Sequence, residues 1–177
     1  MKIKVLEKVE GCFPQEFETG DWIDLHLAET VSLEAPQANK MHRRKEKSGE
    51  IRTRDVDFNF KLLPLGVAME IPAGYEAHLL PRSSTYKDWG ILQTNSIGII
   101  DNSFAGNGDE WKLPTISTQK IVIPKGTRIA QFRICLKQNA TLWQKLRWLF
   151  STKKVKLVKV AYLNKPDRGG FGTTGKN

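Results

Sequence analysis

Short apolar runs separated by turn residues make up most of this chain. Residues 2–9, 58–63, 67–71, 75–80, 97–100, 120–123, 128–136 and 155–163 are rich in Val, Ile, Leu and Phe. The first of them alternates apolar with polar positions, as a strand with one buried face does. In the run 128–136 the apolar face is Ala130, Phe132, Ile134 and Leu136, which puts Gln131 on the other face with Ile129 and Arg133. Pro64-Leu-Gly66, Pro72-Ala-Gly74 and Pro124-Lys-Gly126 punctuate the runs. Pro followed two residues later by Gly suits a type I turn. Many short strands with turns at this spacing predict an all-β sandwich or barrel.

Two stretches depart from that pattern. Residues 35–57 are charged and poor in apolar residues, and read as an exposed, partly disordered loop insertion. Residues 140–150 place Leu142, Trp143, Leu146, Leu149 and Phe150 at helical spacing, with Asn139 available as an N-cap. The default expectation is that this stripe packs against the β-body or a neighbouring subunit; flanking lysines leave a membrane-surface or partner-binding helix as the other reading. The domain division that follows is a β domain over 1–163, carrying the insertion 35–57 and the amphipathic segment 139–150. A flexible arm, 164–177, completes the chain.

A chain of 177 residues is long enough to bury a real core. Its net charge of +9 raises the question of a polyanionic partner. Residues 40–54 carry +5 and residues 137–159 carry +7, so the remainder of the chain is near −3. The basicity is local, and neither stretch has interleaved stacking aromatics; two solvated charged faces are the simpler reading. No apolar run approaches the ~18 residues of a membrane span, and the N-terminus lacks the apolar core of a signal peptide. Cys12 and Cys135 are isolated, and His26, His42 and His78 have no metal-ligand spacing. The expected compartment is the reducing cytoplasm.

Five polar segments carry the candidate chemistry. They are Gly20-Asp-Trp-Ile-Asp24-Leu25, Pro81-Arg82-Ser83-Ser84, Asn95-Ser-Ile-Gly98-Ile-Ile-Asp101-Asn-Ser-Phe104-Ala-Gly106, Lys125-Gly126-Thr-Arg128-Ile-Ala-Gln131, and Arg168-Gly-Gly-Phe171-Gly-Thr-Thr-Gly175. In the second, a strand end precedes a short helix over 84–89 with Ser as N-cap and Gly90 as its stop. Free N–H groups at such a turn, with the Arg82 fork beside them, suit a phosphate. In the third, Asp101 follows an apolar strand end with no basic residue within three positions. A carboxylate there is either a turn former or a base that activates water. Residues 97–113 read as a β-hairpin whose backbone could meet a base edge. The Gly- and Thr-rich tail carries one ring, Phe171, able to close over a bound base.

Taken together and in this order, the five segments resemble those of the trimeric dUTPase family, from about Gly20 to Gly175. The resemblance is strongest to bacterial and phage members. It implies a distorted jelly roll assembled as a homotrimer, with the C-terminal arm completing a neighbouring active site. It implies Mg²⁺ as cofactor and hydrolysis of dUTP to dUMP and pyrophosphate. By resemblance Asp101 activates the attacking water and Asp24 holds waters on Mg²⁺. Arg82, Ser83, Ser84 and Gln131 contact the phosphates. Asn95 and the hairpin backbone, including Gly98, Ile99 and Ile100, recognise uracil, and Phe104 packs under the deoxyribose. Phe171 stacks on the base, while Arg168, Gly172, Thr173 and Thr174 close over the phosphates. Three features depart from the family pattern: Phe104 stands where Tyr is usual, Arg168 is unusually close to Phe171, and the segments 35–57 and 139–150 are extra. The sister activity, dCTP deamination, needs a glutamate on the strand leaving the hairpin, and Trp111-Lys-Leu-Pro-Thr-Ile-Ser has none. A regulatory role, with the basic 40–54 stretch and the 140–150 helix binding a repressor or nucleic acid, is the alternative of another class.

Overall fold

The computed structural model describes residues 1–18, 20–46, 49–150 and 155–170, leaving out the side chains of Lys40, Arg44, Glu46 and Ile51. The elements in chain order begin with β1 (Lys2–Glu7), β2 (Ile23–His26), β3 (Val31–Leu33), β4 (Gln37–Glu46) and β5 (Gly49–Asp57). Next come β6 (Lys61–Pro64), β7 (Val67–Glu70), β8 (Tyr75–Pro81), α1 (Thr85–Trp89), β9 (Ile91–Gln93) and β10 (Gly98–Asp101). The remainder are β11 (Lys112–Ser117), β12 (Ile121–Ile123), β13 (Arg128–Leu136), α2 (Leu142–Phe150) and β14 (Lys156–Val160). The all-β expectation holds.

One sheet has the order β10-β8-β13-β2 and positions most of the chemistry. Beside it are β14-β1-β7 and β6-β11-β9, with the pairs β12-β3 and β4-β5. In the first of these β1 runs parallel to β14, Lys2 facing Lys156 and Leu6 facing Val160. Alternation along the strands gathers Leu25, Leu27, Leu63, Leu65, Met69, Leu79, Trp111 and Phe132 into one core, none more than 1% exposed. Trp111 meets Phe132 edge to face, with centroids 5.1 Å apart, a geometry worth about 1 kcal/mol beyond its buried area.

Four local expectations change. The insertion 35–57 is an ordered two-stranded ribbon, β4 and β5, paired from Gln37↔Asp57 to Glu46↔Gly49. Low apolar content misled because a ribbon satisfies its backbone between its own strands and needs no core. Residues 97–113 are not a hairpin: β10 pairs with β8, whereas β11 pairs with β6 and β9. Helix α1 does stop at Gly90, which sits at φ 61° and donates its N–H to Tyr86 O at 2.7 Å. Ser84 makes no side-chain cap bond there.

Helix α2 is capped by Thr141, not Asn139. Gln144 N–H donates to Thr141 Oγ1 at 3.3 Å and Thr141 N–H donates to Gln144 Oε1 at 2.8 Å, a capping box. Its apolar stripe faces away from this chain's own β-body, which removes one of the two default partners and leaves the neighbouring subunit. Trp143 and Phe150 are 81% and 80% exposed, and Leu142 and Leu149 are exposed too. The helix meets the body through its opposite side, by Trp148 against Tyr75 and Gln144 Nε2 on Ala73 O. Among the described residues no helix is long and apolar enough to cross a membrane.

Candidate active site

Asp101 ends β10 opposite Glu76 of β8 and lies on the wall of a cavity of about 240 Å³. Strand β10 is an edge, so the residues Gly98, Ile99 and Ile100 line the cavity along a backbone side that β8 does not use. Phe104, Trp111, Lys112 and Asn95 contribute further walls. A Cβ on Gly98 would lie 3.2 Å from Leu79 Cβ, so a side chain here would crowd Leu79 of β8. Asn95 accepts from Gln93 Nε2 at 2.7 Å.

The Asp101 carboxylate does both things its position offered. Its Oδ1 accepts the Ser103 N–H at 2.8 Å and the Ser103 hydroxyl at 2.5 Å, closing an Asx turn. Two distant cations also converge on it: Arg168 Nη1 at 3.3 Å from Oδ1 and Lys137 Nζ at 3.7 Å from Oδ2. Burial pushes its pKa up, but the two Ser103 hydrogen bonds and the charges of Lys137 and Arg168 outweigh burial and hold it below its ordinary 3.8. An ionised carboxylate at a pocket wall can accept a proton from water.

The C-terminal arm reaches this pocket on its own chain. Arg168, Gly169 and Gly170 line the cavity, and a Cβ on Gly170 would stand 3.1 Å from Phe104 Cε2. Within one chain, Arg168 of the arm stands 3.3 Å from Asp101. Phe171, Gly172, Thr173 and Thr174 are outside the described residues.

A second cluster forms where β2, β13 and β8 lie side by side. Asp24 on β2 pairs in register with Gln131 on β13, and Gln131 with Leu80 on β8. Arg82 follows β8 directly, and its Nε lies 2.9 Å from Asp24 Oδ2. Arg128 Nη1 reaches the same oxygen at 3.4 Å and stacks over Phe17. Asp24 is 4% exposed, so its charge is matched by these two arginines. Gln131 Nε2 donates to Pro81 O at 3.2 Å. Buried Thr85 accepts the Arg82 N–H at 3.0 Å and donates to Ile129 O at 2.9 Å, tying the Arg82 turn to β13. Ser83 is exposed and Ser84 half-buried at this turn.

The two clusters do not meet within one chain. Asp101 sits opposite residue 76, whereas Arg82 lies past the other end of β8, roughly 20 Å along the strand. Groups acting on one reaction centre need contacts of about 3–3.5 Å.

Comparison with known proteins decides the family. The dUTPase family model matches residues 55–149. The chain is 41% identical over 175 residues to the SPbeta prophage-derived deoxyuridine 5'-triphosphate nucleotidohydrolase YosS of Bacillus subtilis (strain 168), covering 99% of this chain and 97% of that protein. This chain belongs to the dUTPase family. Its fold is likewise shared with solved structures. The dUTPase of Streptococcus mutans superposes with a TM-score of 0.58 at 20% identity, over 77% of this chain and 95% of that one. The D95N mutant dUTPase from phage phi11 of S. aureus, a structure described as revealing coordination of a structural Mg(II) ion, gives 0.57 at 18%, over 79% and 94%. The distorted jelly roll expected of a dUTPase-family chain is therefore the observed fold.

Sequence reasoning missed Lys137, Arg128 and Thr85 as members of the two clusters. Each meets its partners only through sheet pairing or loop docking, and a local reading of spacing contains no trace of that. For Arg128 a signal existed, since the fourth segment includes it.

Proposed function

We infer that this protein hydrolyses dUTP to dUMP and pyrophosphate. The observation that carries this is Asp101, held ionised on the wall of a cavity whose other sides are a strand edge and the Phe104 ring. Full-length similarity to a prophage deoxyuridine triphosphate nucleotidohydrolase supports the substrate.

In this reading uracil lies along the free edge of β10, where backbone groups of Gly98, Ile99 and Ile100 and the Asn95 side chain meet its polar edge. Phe104 packs under the sugar and leaves no space for a ribose 2′-hydroxyl. Asp101 takes a proton from a water whose oxygen bonds to the α-phosphorus, as the bond from that phosphorus to the β-phosphate oxygen breaks and pyrophosphate leaves. Arg82, Ser83, Ser84 and Gln131 hold the phosphate chain and neutralise its charge, with Arg168 and the arm residues Phe171 to Thr174 closing the site. Because the Asp101 and Arg82 clusters are apart in one chain, the site joins clusters from different copies, consistent with a homotrimer.

Asp24 suits Mg²⁺ held through water. Both arginines address Oδ2, and among the described residues no three His, Cys, Asp or Glu gather into a metal cage. Mg²⁺ with one protein carboxylate, waters and substrate phosphates is its usual arrangement, and it supplies charge neutralisation of the polyphosphate.

Asp101→Asn should lower kcat at least ~100-fold while dUTP still binds. Turnover of dUTP, UTP, dCTP and dTTP side by side, with and without Mg²⁺, checks the substrate. Full activity in the variant, or UTP turned over as fast as dUTP, would overturn the assignment.

A further inference from the structure

Gln93 ends β9, in register with Thr115 of β11, yet its side chain serves the sheet that carries Asp101. Its Nε2 donates to Leu79 O of β8 at 3.2 Å and to Asn95 Oδ1 at 2.7 Å. Both hydrogens of the amide are thereby committed. A carbonyl oxygen can only accept, so Leu79 O fixes which end of the Gln93 amide is nitrogen. That nitrogen can only donate, so the Asn95 atom facing it must be the oxygen. Asn95 is left with Nδ2 as its outward group, and among the described residues nothing in the protein accepts from it. The backbone holds the same residue: Ile97 N–H donates to Asn95 O at 2.5 Å across Ser96, which sits at φ 57°.

The arrangement is kept against a penalty. Gln93 Oε1 is buried and has no partner among the described residues. An unpaired buried oxygen destabilises a fold, so a side chain that merely filled this space would be apolar. Asn95 lies on the wall of the Asp101 cavity. Uracil carries an oxygen at C4, which accepts; cytosine carries an amino group there, which donates. An amide nitrogen directed at that position pairs with the first and opposes the second.

We propose that Gln93 is a positioning residue for base selection. It locks the Asn95 amide with its donor end toward the base, so that the pocket takes a 4-keto pyrimidine and rejects a 4-amino one. This rests on the dUTP reading, and within it on Asn95 meeting the base.

The test compares full-length wild type with Gln93→Leu, Gln93→Glu and Asn95→Ala. Each is measured by kcat/KM for dUTP and by the Ki of dCTP as a competitor. Leucine leaves the Asn95 amide free to turn, and the preference for dUTP over dCTP should fall ~10-fold or more. A glutamate accepts from Asn95 Nδ2 and turns Oδ1 toward the base. In that variant dCTP should bind ~10-fold tighter than it does to wild type, while kcat/KM for dUTP falls. A purely structural defect weakens both nucleotides alike and leaves their ratio in place; that result in the Gln93 variants would overturn the proposal. Should Gln93→Leu not fold, Gln93→Glu, which keeps the size and polarity, carries the same comparison. Loss of preference in Asn95→Ala with wild-type preference in both Gln93 variants would overturn the role of Gln93 and leave the dUTP reading standing. Wild-type preference in Asn95→Ala would remove Asn95 from the base, and the proposal with it. Wild-type protein that does not hydrolyse dUTP would end both.

Discussion

Asp101 carries its charge among groups drawn from three parts of the chain, two of them distant. Ser103 is adjacent in sequence, but Lys137 comes from the end of the β13 run and Arg168 from the arm. Both cations favour the ionised form, so removing one must raise the pKa. Lys137→Gln should therefore move the acid limb of kcat/KM upward in pH, measured across the acid range; an unmoved limb would mean Lys137 serves only Asn102, to which it also donates at 2.8 Å. Sequence alone made Asp101 conspicuous, because a lone acid after an apolar strand end is a local pattern. The buried carboxylate Asp109 was hidden for the converse reason: its neighbours Gly108 and Glu110 look like an ordinary tight turn, and besides Gly106 the amides it binds, Arg168 and Gly169, are some sixty positions away.

At the scale of elements, the period-two runs located most strands, and 128–136 coincides with β13. Strands of three or four residues, such as β3 and β9, are too short to show a period. The ribbon β4–β5 escaped because pairing in it depends on backbone and not on apolar pattern. It stands on its own, with side chains of Met41, Arg43, Arg52 and Arg54 exposed. Arg43 lies directly opposite Arg52, and Glu50 bridges the two at 3.8 and 3.3 Å. Like charges facing each other cost a few tenths of a kcal/mol, which the glutamate offsets. Replacing residues 37–57 by a short Gly-Ser link should leave Tm within a few degrees, and dUTP turnover within ~2-fold, of wild type, because no core side chain is lost. A collapse in turnover would tie the ribbon to the active site.

For the whole molecule, the separation of Asp101 from Arg82 along β8 makes a sharp statement about assembly. If substrate bridges clusters from different copies, two inactive variants can repair one another. Asp101→Asn mixed with Arg82→Ala, refolded together, should regain a measurable fraction of wild-type turnover, although each alone falls ~100-fold. Absence of rescue in mixtures shown by mass spectrometry to contain both chains would place the site within one chain. The family was legible from the five segments read in order; how they divide between two clusters was not, because linear order does not say which end of a strand a residue occupies.

The parallel pairing of β1 with β14 has a consequence for how the protein is made. Strand β1 is made well before the neighbour that covers one of its edges, which is not translated until residue 156. At ~5–20 residues per second that is a wait of roughly ten to thirty seconds, during which an uncovered edge can recruit other nascent chains. The sheet closes only after that interval, and the arm that follows β14 is anchored later still.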